Sequence, residues 1–107
     1  MLGVLLMFVV VDYVSGFVAA AIEGKLSSAV GLRGIAKKVG MFTLVAVSHL
    51  LDSVMGEAHL LRDATMFFYL ANELLSILEN LGRIGVPIPP VIRKAVDVLK
   101  AKGEPKP

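Results

Sequence analysis

The chain contains no cysteine, which removes disulfide frameworks, thiolate metal sites and cysteine nucleophiles together. It is also short of charge. Only 19% of its 107 residues are Asp, Glu, Lys or Arg, and no Lys or Arg precedes Lys25. A small water-soluble domain has a large surface for its volume and must cover it with polar groups. This chain has too few. Disorder is excluded by the same deficit, because a disordered chain needs low hydrophobicity and high charge. What fills the chain instead is aliphatic. The apolar residues make up 56%, and mean hydropathy is positive at +0.78. The class this composition predicts is an all-α integral membrane protein.

Three apolar stretches carry that expectation. The first, Leu2–Ile22, has 21 residues and one charge, Asp12. At 1.5 Å per residue it reaches about 31 Å, the thickness of a hydrocarbon core. A cleaved signal peptide would need a basic leader, a shorter apolar run and a small-residue cleavage site, so a retained helix over 1–22 is expected. Its Leu, Ile, Val and Phe side chains favour insertion by roughly 4–7 kcal/mol, against about 2.5–3.5 for Asp12. The second stretch, 39–55, is at the short end of the spanning range. Lys37 and Lys38 stand at its front edge, where long side chains can reach back to the interface. The third, 64–81, gains only roughly 2.4–4.8 kcal/mol from its apolar side chains, and Glu73 at its centre cancels most of that. It should insert poorly without partners that cover its polar groups.

The predicted layout is therefore three transmembrane helices (1–22, 39–56 and 64–82) and a short amphipathic C-terminal helix. A basic cytoplasmic loop (23–38), a short external loop (57–63) and a basic cytoplasmic tail (83–107) complete it. Basic residues number four in 23–38, one in 56–63 and six from residue 82 onward. Basic short loops stay cytoplasmic, so the N-terminus is expected outside and the C-terminus inside. The run Gly85-Val86-Pro87-Ile88-Pro89-Pro90 cannot continue a helix. Beyond it, Val91, Ile92, Ala95, Val98 and Leu99 recur with helical spacing. That pattern suits an amphipathic helix on the inner membrane surface.

On a helical projection Tyr69, Asn72, Glu73, Ser76, Glu79, Asn80 and Arg83 fall within an arc of about 120°. Phe67, Leu70, Leu74, Ile77, Leu78 and Leu81 form the opposite, lipid-facing side. Polar groups in a bilayer face protein or water. The arc is either a hydrogen-bonded helix seam or the wall of an aqueous lumen, and its seven positions favour the lumen. In the first span Asp12, Ser15, Gly16, Ala19 and Glu23 share a face whose small residues permit close helix association. Asp12 and Glu73 each sit near the midpoint of their span and should lie at similar depth. Asp52 closes the second span.

No other chemistry stands out. His49 and His59 lack a metal-ligand spacing. Gly31-Leu32-Arg33-Gly34 reads as a turn between spans, without the context of a phosphate loop. No nucleophile–base set, cofactor site or nucleic-acid surface can be named. The expected partners are the lipid bilayer and further copies of the chain.

Several motifs resemble the bacteriophage holin family of the phage-lysis and toxin-secretion type. They are Asp12-Tyr13-Val14-Ser15-Gly16 with Ala19-Ala20, Ser27-Ser28 leading to Gly31, Gly34 and Lys37-Lys38, and Asp52. Arg62 then leads into Phe68-Tyr69-Leu70-Ala71-Asn72-Glu73-Leu74-Leu75-Ser76-Ile77-Leu78-Glu79-Asn80, followed by Gly85-Val86-Pro87-Ile88-Pro89. The resemblance implies a small protein of the host cytoplasmic membrane that oligomerises and opens lesions at a set time. Those lesions would let an endolysin reach the cell wall, or a toxin leave. One departure is that members of that family usually carry residues ahead of the first span, which here begins at Met1 and Leu2.

Overall fold

The computed structural model describes residues 1–56 and 58–104. Within them the chain forms four helices and no strand: α1 (Leu2–Ile22), α2 (Ser28–Met55), α3 (Leu60–Ile84) and α4 (Pro90–Gly103). α1 and α2 are each long and apolar enough to cross a membrane. α3 has the length but is less apolar, its hydropathy lowered by Asn72, Glu73, Glu79 and Asn80.

Glycines end α1 and α3 in the same way. Gly24 and Gly85 take left-handed φ values of 68° and 104°. In each case the next amide reaches back to close the last turn: Lys25 N–H donates to Ala20 O at 2.8 Å, and Val86 N–H to Leu81 O at 2.9 Å. This is the usual glycine stop, satisfying carbonyls that a helix end leaves open.

α2 differs from the expected second span. Ser27, in extended backbone, accepts a hydrogen bond from Val30 N–H and starts the helix eleven residues ahead of Val39. The segment 23–38 is therefore a connection only over residues 23–27. Gly31-Leu32-Arg33-Gly34, expected as a turn, is helical. Gly31 has a packing role: a Cβ there would stand 3.3 Å from the Tyr13 hydroxyl.

α3 is the hub. It packs along α1, α2 and α4, whereas α1 and α2 scarcely touch. Leu5 and Val9 of α1, Val45 of α2, and Met66 and Leu70 of α3 form one apolar cluster. Further along, Gly16 meets Asn80 and Glu23 meets Arg83. α1 and α3 thus run side by side in the same direction, with α2 antiparallel to both. The outer faces of α1 and α2 are mainly apolar and uncovered, from Val10, Val14 and Phe17 to Leu44, Leu50 and Val54, with Arg33 and Lys37 exposed on α2.

α4 turns back along α3 rather than lying free of it. Val96 is buried, Leu99 packs against the apolar cluster, and Lys102 Nζ lies 5.6 Å from the centroid of the Phe67 ring. α4 thus occupies part of the α3 face expected to meet lipid. Contact is closest at Gly103, where a Cβ would come within 2.9 Å of Phe68 N and 3.2 Å of Ala64 O. Gly103→Leu should therefore lift α4 from α3 at a cost of about 1–2 kcal/mol, raising the open population roughly 5–30-fold. Faster tryptic cleavage at Arg93 and Lys94 in detergent-solubilised protein would register it.

Candidate functional site

Three helices each contribute one charge to a common point. Lys38 Nζ donates to Asp12 Oδ2 at 2.7 Å and to Glu73 Oε1 and Oε2 at 3.2 and 3.1 Å. The side chains of Asp12, Lys38 and Glu73 are 11%, 17% and 6% exposed. Taking such charges out of water costs several kcal/mol each unless they are paired and hydrogen-bonded. Here both carboxylates share one ammonium.

The network continues toward the C-terminal end of α3. Asn80 Nδ2 donates to Asp12 O at 3.1 Å, to Asp12 Oδ1 at 2.9 Å and to Ser15 Oγ at 3.1 Å. Gly16 admits this side chain, because a Cβ at Gly16 would lie 3.3 Å from Asn80 Nδ2. Arg83 Nη1 donates to Asn80 Oδ1 at 3.3 Å, and Arg83 also bridges to Glu23. Among the described residues no buried side-chain nitrogen or oxygen lacks a partner.

Beside the triad lies an open cavity of about 1010 Å³ between α1, the first turns of α2 and the end of α3. Asp12, Gly16, Lys38, Ser76, Glu79, Asn80 and Arg83 give it a polar side, while Phe17, Leu26, Val30 and Ile35 give it an apolar one.

The sequence-derived candidates thus divide. Asp12, Ser15, Gly16, Glu73 and Asn80 come together in the buried network, with Ala19 buried on the same face of α1. Ser76, Glu79 and Arg83 border the cavity, and Asn72 is exposed. Tyr69 packs instead against the apolar cluster, edge-on to Phe68 with ring centroids 5.4 Å apart. Asp52 belongs to the other end of the molecule. Its carboxylate accepts from Leu61 N–H at 2.9 Å and Arg62 N–H at 2.8 Å, capping α3 from the preceding helix. The ring of His49 stacks on that of His59 near this cap, 5.5 Å between centroids.

Lys38 is the member of the triad absent from the sequence-derived candidates. Placing α2 at Val39 put this lysine at the membrane edge. The signal was Ser27-Ser28, since a helix capped at Ser27 carries Lys38 three turns inward. The arrangement brings two acids and one base together as matched charges. It compensates charge, allowing a polar helix to lie between two apolar ones.

Two predictions follow from these contacts. Lys38→Met leaves two carboxylates facing each other and should destabilise the bundle by about 3–5 kcal/mol in detergent unfolding followed by circular dichroism. The triple variant Asp12→Asn/Lys38→Met/Glu73→Gln should recover most of that loss. At the exposed end, the hydrogen bond from Arg83 holds the Glu23 carboxyl below its ordinary value of 4.5. The stabilisation it brings is complete above that ordinary value and is lost as pH falls through the lowered one. Arg83→Gln should return the Glu23 titration, followed by NMR, to the ordinary range.

Comparison with known proteins places this architecture. The sequence model of the bacteriophage holin family matches residues 1–101. An uncharacterized protein of Listeria monocytogenes is 48% identical over 99 residues, covering 92% of this chain and 71% of the relative. An uncharacterized protein of Halalkalibacterium halodurans is 44% identical over 105 residues, covering 94% and 78%. A probable holin of Bacillus phage phi105 is 35% identical over 105 residues, covering 98% and 78%. No solved structure matches. With the family model spanning nearly its whole length, this chain belongs to the bacteriophage holin family.

Proposed function

We propose that the chain crosses the host cytoplasmic membrane three times, through α1, α2 and α3, and assembles with copies of itself. The assemblies open lesions through which an endolysin reaches the cell wall, or a toxin leaves. One observation carries this reading: α3, too polar to enter lipid alone, has its buried charge matched by groups on two apolar helices. Polar groups at membrane depth face protein or water, and the cavity beside the triad offers a path for water. In this reading the N-terminus lies outside, residues 23–27 inside, residues 56–59 outside and residues 85–89 inside. Membership of the holin family and the similarity to a probable phage holin support it.

Timed expression of the full chain in a bacterium tests the function, using a potential-sensitive dye and a folded cytoplasmic reporter protein. Abrupt loss of potential with release of the reporter is expected. Loss of potential without reporter release would indicate a narrow channel. Continued growth with potential intact would make the chain an antiholin or a membrane subunit that packs with a partner and forms no lesion.

A further inference from the structure

α4 presents a physical conflict that the three-span reading has to resolve. α1, α2 and α3 lie side by side, tied at one end by Leu5, Val45 and Met66, at mid-length by the triad, and further along by Gly16 and Asn80. Whatever depth α1 and α2 reach, α3 reaches too. α4 runs back over α3 from Pro90 until Gly103 meets Ala64 and Phe68, and it touches neither α1 nor α2. Ala71 and Leu78, both buried, stand two residues from Glu73 and Asn80 and so lie about 160° away around α3. α4 therefore covers a side of α3 remote from the charged seam.

The outer surface of α4 is charged. Arg93, Lys94, Asp97, Lys100 and Lys102 are all exposed, a net charge of +3 on the helix. On α3 itself Asn72 and Glu79 are exposed as well, Glu79 at the border of the cavity. Such groups are not tolerated against lipid tails at membrane depth, where each costs several kcal/mol. Over the same length the outer face of α1 is apolar apart from Tyr13, and that of α2 is mainly aliphatic, interrupted by Arg33, Lys37 and Thr43. One protomer thus has a surface suited to lipid and, on another side of α3, a surface suited to water.

We propose that α4, docked as seen here, is the water-facing wall of the lesion, so that copies enclose a lumen lined by its basic face. This rests on the three-span, self-assembling reading above and adds the identity and the charge of the lining. A wall of net positive charge attracts anions and repels cations of the same size.

The test uses the full chain reconstituted in liposomes holding an anionic and a cationic dye of equal size. The absence of cysteine allows Lys94→Cys, Val96→Cys and Val10→Cys to be probed singly with a charged, membrane-impermeant methanethiosulfonate reagent. At low ionic strength, where the field of the wall reaches across a wide lumen, the anionic dye should leave first. Lys94→Gln/Lys100→Gln, which lowers the charge of the helix from +3 to +1, should weaken that preference, and Lys94→Glu/Lys100→Glu, which takes it to −1, should invert it. The reagent should modify Lys94→Cys and slow efflux, while sparing Val96→Cys beneath α4 and Val10→Cys against lipid. Dye release indifferent to both charge variants would overturn the proposal while leaving lesion formation intact. So would modification of Val96→Cys as fast as Lys94→Cys, because α4 would then be undocked. If neither dye escapes from liposomes carrying the unaltered chain, the lesion reading itself fails and the proposal goes with it.

Discussion

One ammonium group held between two carboxylates organises this molecule. α1 and α2 have little backbone contact and are joined chiefly through Asp12 and Lys38. Both are located by α3, and the point where all three charges meet is Lys38. An ion pair taken out of water is weak as a source of stability, because desolvation offsets most of the attraction. Its strength lies in register. A slip of one residue in any of the three helices would carry a charge away from its partner into an apolar surrounding. The triad thus specifies one alignment of three helices whose apolar side chains could pack in several.

The rest of the packing follows from that arrangement. Among the large side chains of the described residues only Leu5 is fully buried, while mainly aliphatic side chains cover the outside of α1 and α2. A water-soluble fold of this size would reverse that distribution. Inside, contact depends on small and polar groups: Gly16 admitting Asn80, Ala19 on the same face, and Ser48 sharing a hydrogen bond with Thr65 at 3.0 Å. Close approach of backbones is how helices associate where burial of apolar surface gives no advantage over lipid.

Much of this was legible in the residue order. The uninterrupted run from Leu2 to Ile22 marked α1, and the polar residues at helical spacing around Glu73 marked the side of α3 that needs partners. The small-residue face of α1 marked it for close helix association without naming Asn80 as the partner. Two features were hidden for identifiable reasons. The start of α2 was obscured because an apolar run is cut by Lys37 and Lys38, although a helix does not stop at a lysine whose charge has a partner. The docking of α4 was hidden because an amphipathic pattern says that one face is covered without naming the cover. Val96 and Leu99 suit a membrane surface and the flank of α3 equally well. Tyr69 shows a third limit: its hydroxyl placed it in the polar arc, but its ring decided its neighbours.

The connection between α1 and α2 is short, and its consequence concerns the order in which the chain is made. Asp12 and Lys38 leave the ribosome before Glu73 does. The first two helices, joined by five residues, can meet as a hairpin in which the acid and the base already neutralise each other. The third then arrives at a prepared surface and docks its own acid against a lysine that still has hydrogens to give. In the three-span arrangement proposed above, a segment too polar to partition on its own is thereby admitted late, by companions already in place.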